Sequence, residues 1–127
     1  MRRALLASLA AVATLGFSAA AAEAKPVPTD VGIVGVGSLP GGDVAFYGQL
    51  ASSNSKCLPN RRIEIVATKD GSDTIFDVAR SSDNGAWLGR GPMEEIDGAG
   101  LTIKLAPKRV KRGGTTINCA RMKVQLS

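Results

Sequence analysis

The fold this sequence predicts is all-β: a single small antiparallel β-sandwich of six or seven strands with Greek-key connections. Three observations predict it. Apolar and polar residues alternate with period two in four separate stretches, as strands with one buried and one wet face require. Turn pairs such as Asp70-Gly71, Asp97-Gly98 and Gly113-Gly114 fall between the stretches. No segment after residue 24 carries a sustained helical stripe.

Residues 1–24 read as an export signal. Arg2 and Arg3 give a positive start, Ala4 to Phe17 is apolar and uncharged, and Ala19 to Ala24 offer small-residue cleavage sites after Ala22 or Ala24. The apolar run is shorter than the roughly 20 residues of a spanning helix, and nothing after it is long or apolar enough to span. A secreted protein, extracellular or associated with the cell wall, is therefore expected. Removing Arg2, Arg3 and Glu23 from the 16 basic and 11 acidic residues leaves 14 and 10, a net charge of +4. Phe46, Tyr47, Phe76 and Trp87 are the only later aromatics, so the core must be mainly aliphatic. About 100 residues make one domain, of a size for which apolar burial alone is marginal.

Residues 25–43 read as a leader. Pro26 and Pro28 disfavour regular structure, Ser38 to Gly42 is a turn by composition, and 31–36 reads as a glycine-weakened strand at a sheet edge. The sandwich proper is expected over 44–127. Val44, Phe46, Gly48 and Leu50 form the first alternating set, and Ile63, Ile65 and Ala67 the second. Leu101, Ile103 and Leu105 form the third, and Ala120, Met122, Val124 and Leu126 the last. Shorter runs at Thr74 to Arg80 and Ala86 to Gly89 bring the count to six, or seven with the leader.

Cys57 and Cys119 are the only cysteines, which in an exported chain implies one disulfide. Closing a loop of about 60 residues restricts the unfolded chain by roughly 4 kcal/mol in the entropy model. Cys119 falls on the opposite parity from Ala120 and Met122, so the bridge is expected to clasp an edge or loop rather than cross the core.

A set of short motifs recurs in order: Phe46-Tyr47-Gly48-Gln49-Leu50-Ala51-Ser52, Lys56-Cys57, Arg61-Arg62-Ile63-Glu64-Ile65, Ser82-Asp83-Asn84-Gly85-Ala86-Trp87 and Cys119-Ala120. Together they resemble small exported proteins of actinobacteria of unknown function. More distantly, they resemble transthyretin-like or carboxypeptidase-regulatory-like β-sandwich modules. The resemblance covers about residues 44 to 126. It departs from that pattern at Gly100-Leu101-Thr102-Ile103, where a tyrosine usually follows the glycine. It implies a scaffold fold and no activity.

The chain has no histidine, which removes Ser-His and Cys-His mechanisms and most zinc or copper sites; no metal and no cofactor is expected. Glu94, Glu95 and Asp97 form the densest acidic patch and read as a solvated loop. A hollow that gathers two or more of Asp70, Asp83, Glu94, Glu95 and Asp97 would instead favour a carboxylate hydrolase or an accessory to one. Asp70, Asp73, Asp83 and Asp97 sit in turns without the spacing of a calcium loop. Ser81-Ser82 with Lys69 is the one conceivable Ser-Lys pair. Trp87 reads as the largest core residue.

The basic C-terminal third stands apart. No acid follows Asp97, whereas Lys104, Lys108, Arg109, Lys111, Arg112, Arg121 and Lys123 do. Lys108, Arg109, Lys111 and Arg112 read as a solvent-exposed hairpin tip between the last two strands, suited to binding an anion. The partners expected are an anionic cell-surface polymer or another extracellular protein. Nucleic acid is disfavoured, because no aromatic residue is interleaved for base stacking. The function expected is thus an exported, non-catalytic binding or structural module.

Overall fold

The computed structural model describes residues 25–126, so the export-signal reading lies outside the described residues. Among these residues the fold is all-β, with nine strands: β1 (Thr29–Ser38), β2 (Asp43–Ser52), β3 (Arg62–Lys69), β4 (Ser72–Arg80), β5 (Ala86–Pro92), β6 (Gly100–Leu105), β7 (Lys108–Arg112), β8 (Thr115–Cys119) and β9 (Met122–Gln125). Single 3-10 turns at Ser55–Cys57 and Met93–Glu95 interrupt them. No helix among the described residues is long and apolar enough to cross a membrane.

The strands form three antiparallel sheets, ordered β9-β6-β3-β4, β1-β2-β5 and β7-β8. The strand at 31–36 extends over Thr29–Ser38 and holds the edge position of the three-stranded sheet, pairing with β2 along its length. The leader thus belongs to the sheet.

The expected count of six or seven strands is corrected to nine. The two additional strands are β7 and β8, joined through Gly113 and Gly114, which both take positive φ (50° and 87°) as a tight turn needs. The run Lys108 to Arg112 is therefore a strand and not a loop tip. Charged side chains hid it, but ladder hydrogen bonds use only backbone groups, and Lys108 pairs with Cys119 and Arg112 with Thr115.

One apolar cluster draws on both large sheets: Val44, Phe46, Leu50 and Trp87 from one, Ile63, Ile65, Phe76, Ala79, Ile103 and Leu105 from the other. The period-two alternation puts most of these on the buried side of their strands, and a bulge in the β3–β4 pairing at Phe76 brings Phe76 and Ala79, of opposite parity, to the same side. Phe46 and Phe76 meet edge to face with centroids 5.9 Å apart. Large side chains fit because small residues face them. Gly48 stands opposite Trp87 in the β2–β5 register, and a methyl group on Gly48 would overlap the indole ring. Ile65 and Phe76 rest in the same way on Gly89 and Gly91. Trp87 is buried, 4 % exposed, as its core assignment requires.

Cys57 and Cys119 are bonded to each other and buried, 62 residues apart in sequence. The bridge joins the 3-10 turn Ser55–Cys57 to the last residue of β8, outside the main apolar cluster; the parity comparison with Ala120 and Met122 does not apply, because β8 ends at Cys119 and β9 starts only at Met122. Replacing Cys57 by Ser is expected to cost about 2–5 kcal/mol. Denaturant unfolding of the variant beside the parent checks this, with intact mass confirming the oxidised parent.

Candidate functional site

The strands give the molecule two ends. At the end where β3 begins, Arg61 is buried, 1 % exposed, and no carboxylate among the described residues pairs with it. Its Nη1 donates to Thr29 Oγ1 (3.1 Å) and to the Cys57 carbonyl (2.8 Å). Its Nη2 donates to the carbonyls of Ala106 (2.8 Å) and Ala120 (2.9 Å), while Nε has no partner. Burial lowers the pKa of this guanidinium from its ordinary value. Ala106 and Ala120 are the two roots of the β7–β8 hairpin, so one side chain clasps both. The disulfide adds a third tie at Cys119, and Val27 a fourth, its N–H donating to the Asn118 carbonyl (2.7 Å) and its own carbonyl accepting from Ala120 N–H (2.8 Å).

The four basic residues expected to stand together in solvent are divided by this geometry. Lys108 lies half-buried with Cys119 opposite it, and its Nζ donates to the Pro59 carbonyl (2.6 Å). Burial first, and then the charges of Arg61 and Arg80, lower its pKa. Lys108 is thus a tie between the hairpin and the Pro59-Asn60 turn that follows the 3-10 turn, which corrects its assignment to the solvated tip. Arg109, Lys111 and Arg112 are exposed. Arg109 and Lys111 share one face of β7 by alternation, opposite Asn118 and Thr116.

Two hollows flank the root of the hairpin. The first, about 580 Å³, is lined by Lys108, Arg109, Asn118 and Arg121 with Pro26 and Pro107 among the apolar parts. The second, about 660 Å³, is lined by Lys104, Arg121 and Lys123 with Leu105, Met122 and one acid, Glu64. Pro107 and Arg121 belong to both, so the hollows adjoin. Lys104 stands between Lys123 and Glu64 across the sheet, and Glu64 is engaged by Arg62 at 2.9 Å. Residues scattered from 104 to 123 in sequence therefore form a continuous cationic surface. Sequence reasoning placed Lys104, Arg121 and Lys123 in the basic third but not in the site. The Gly113-Gly114 turn, which folds 115–123 back along 104–112, was the signal that would have joined them.

The opposite end, where β3 finishes, is acidic. Asp70 lies in the β3–β4 turn with positive φ (51°), and Asp73 accepts from Thr68 Oγ1 at 2.6 Å. A hollow of about 340 Å³ gathers Glu94 and Glu95 with Lys69, Ser72 and Thr74, and Lys69 Nζ donates to the Glu94 carbonyl (3.0 Å). Asp70, Asp83 and Asp97 do not line it. Both glutamates are exposed neighbours on the 3-10 turn. Among the described residues no group of three or more Cys, Asp or Glu side chains is placed to hold a metal ion. Ser81 is buried at the other end, accepting from Arg61 N–H (2.8 Å) and donating to the Leu58 carbonyl, so it does not meet Lys69.

No protein-family model matches the chain, and neither a curated protein nor a solved structure does.

Proposed function

We propose that the chain is an exported, non-catalytic β-sandwich module that binds anionic cell-surface polymers through its cationic end. The observation that carries this reading is the convergence of Arg109 and Arg121 at one hollow and of Lys104, Arg121 and Lys123 at the adjoining one, with Lys111 and Arg112 exposed farther along β7; among the described residues the two hollows hold a single acid, itself engaged by Arg62. Among the described residues these exposed cations have no ion-pair partner, and the clamped hairpin presents their positive field on a backbone that is already held in place. The sandwich reading is supported by the shared core of the two large sheets, and by the Asp77 carboxylate, which accepts the Arg90 N–H (2.8 Å) where β4 passes β5. The transthyretin-like assignment rests on the motif resemblance. Export is supported by the N-terminal sequence and by the disulfide.

The test is retention of the mature protein on immobilised anionic cell-wall polymer, beside a variant carrying Arg109→Ser, Lys111→Ser, Arg112→Ser and Arg121→Ser. Lys108 is kept because it holds Pro59. The variant is expected to pass through at a salt concentration that retains the parent. Equal retention would reduce the cationic end to a solubilising surface.

A hydrolytic reading rests on the hollow that gathers Glu94 and Glu95. Glycoside hydrolysis needs two carboxylates flanking one bond, one of them kept protonated by burial or crowding, and two exposed neighbours on a turn do not meet that need. Hydrolysis of a polysaccharide by the parent that is abolished by Glu94→Gln and Glu95→Gln would restore it.

A further inference from the structure

We infer that the protein meets its anionic partner end-on, with the β7–β8 hairpin against the polymer and the Glu94–Glu95 turn pointing away. The inference rests on the proposed polymer binding and adds the geometry of the contact. The continuous cationic surface has two parts that could take the first contact. One is the hairpin end, with Arg109, Lys111, Arg112 and Arg121 exposed. The other is the broad outer face of the four-stranded sheet, where Lys104 and Lys123 stand directly opposite each other.

Three features select the end. On the broad face Glu64 adjoins Lys104 in the same row with Arg62 held on it at 2.9 Å, so a polymer lying across the sheet would meet an ion pair there in place of a free cation. Glu64 lines only the second hollow, on the broad-face side, and neither Asp30 nor Asp83 lines either hollow. The acids collect at the far end, where Asp70, Asp73, Glu94, Glu95 and Asp97 are all exposed. β3 has 8 residues, so the two ends lie about 25 Å apart at roughly 3.3 Å per residue. That separation exceeds the screening length of about 8 Å at physiological salt. A broadside approach brings the acidic turns toward the polyanion, whereas an end-on approach leaves them beyond its reach. The charge separation thus turns the molecule as it arrives, and the ties at Arg61 and the disulfide keep the hairpin from folding aside.

The native lysines report the orientation. Acetylation of the parent protein, free and bound to heparin as the polyanion probe, is followed residue by residue by mass spectrometry. End-on contact predicts severalfold protection of Lys111, with Lys104, Lys123 and Lys69 remaining as reactive as in the free protein. Protection of Lys104 and Lys123 with Lys111 still reactive would overturn the inference and leave polymer binding standing. In a second arm, Glu94→Gln and Glu95→Gln together should change heparin affinity less than about twofold, because those charges lie outside the screening length. A severalfold gain in affinity would also contradict end-on contact. If the parent does not bind heparin or cell-wall polymer at low salt, the proposed function itself fails, an outcome separate from a wrong orientation.

Discussion

Replacing Arg61 by Met should lower the stability of the fold by about 3–5 kcal/mol, a large share of the total for a domain of this size. The methionine fills similar space, so the loss isolates the guanidinium. Without it the carbonyls of Cys57, Ala106 and Ala120 would be left buried with no donor, each at a cost of about 1–3 kcal/mol. Relief from burying the charge offsets part of that loss. Arg61→Lys should fall between parent and Met, because an ammonium has three donors but no planar fork to reach acceptors on several segments. The midpoint in guanidinium chloride measures both. A Met variant within about 1 kcal/mol of the parent would mean that the contacts of Arg61 barely exceed the cost of its burial.

The pairing of Gly48 with Trp87 should give an effect of similar size, with a distinctive signature. Gly48→Ala places a methyl group where the indole lies, and it should cost at least about 1–3 kcal/mol as the ring is forced off its rotamer. Trp87→Ala should cost about 3–5 kcal/mol through the cavity it leaves. Combined, the two should cost less than their sum, because the added methyl then enters space the ring has vacated. Strict additivity in the double-mutant cycle would show that the two residues do not share that space.

The alternation of Ile63, Ile65, Ile103 and Leu105 made the inner strands legible, since period two is imposed by the pleat; it breaks only locally, at the bulge where Ile65, Val66 and Ala67 are buried in succession. The disulfide was legible because two cysteines have one pairing. The hairpin of β7 and β8 was not, because Lys108, Arg109, Lys111 and Arg112 carry no apolar face of the usual kind. Its inward positions are Lys108 and Val110: Lys108 reaches the Pro59 carbonyl and stands opposite the bridged Cys119, while Val110 pairs with Ile117, outside the main core. Arg61 was missed although the same alternation held the clue. It has the parity of Ile63 and Ile65, both fully buried, so it had to turn inward at the mouth of the strand. An arginine is so seldom buried without a carboxylate that composition pointed the other way. The division of charge between the two ends required the topology, since it depends on which turns come together.

Binding of the parent protein to a soluble anionic polymer across a series of salt concentrations tests the cationic end most directly. With four exposed cations displacing counter-ions, affinity should fall roughly 20- to 50-fold between about 50 and 150 mM salt. The variant lacking Arg109, Lys111, Arg112 and Arg121 should bind weakly and with a much shallower salt slope, while unfolding within about 1 kcal/mol of the parent. A parent affinity that stays constant across that range would contradict the account, because it would place the contact elsewhere than on these charges.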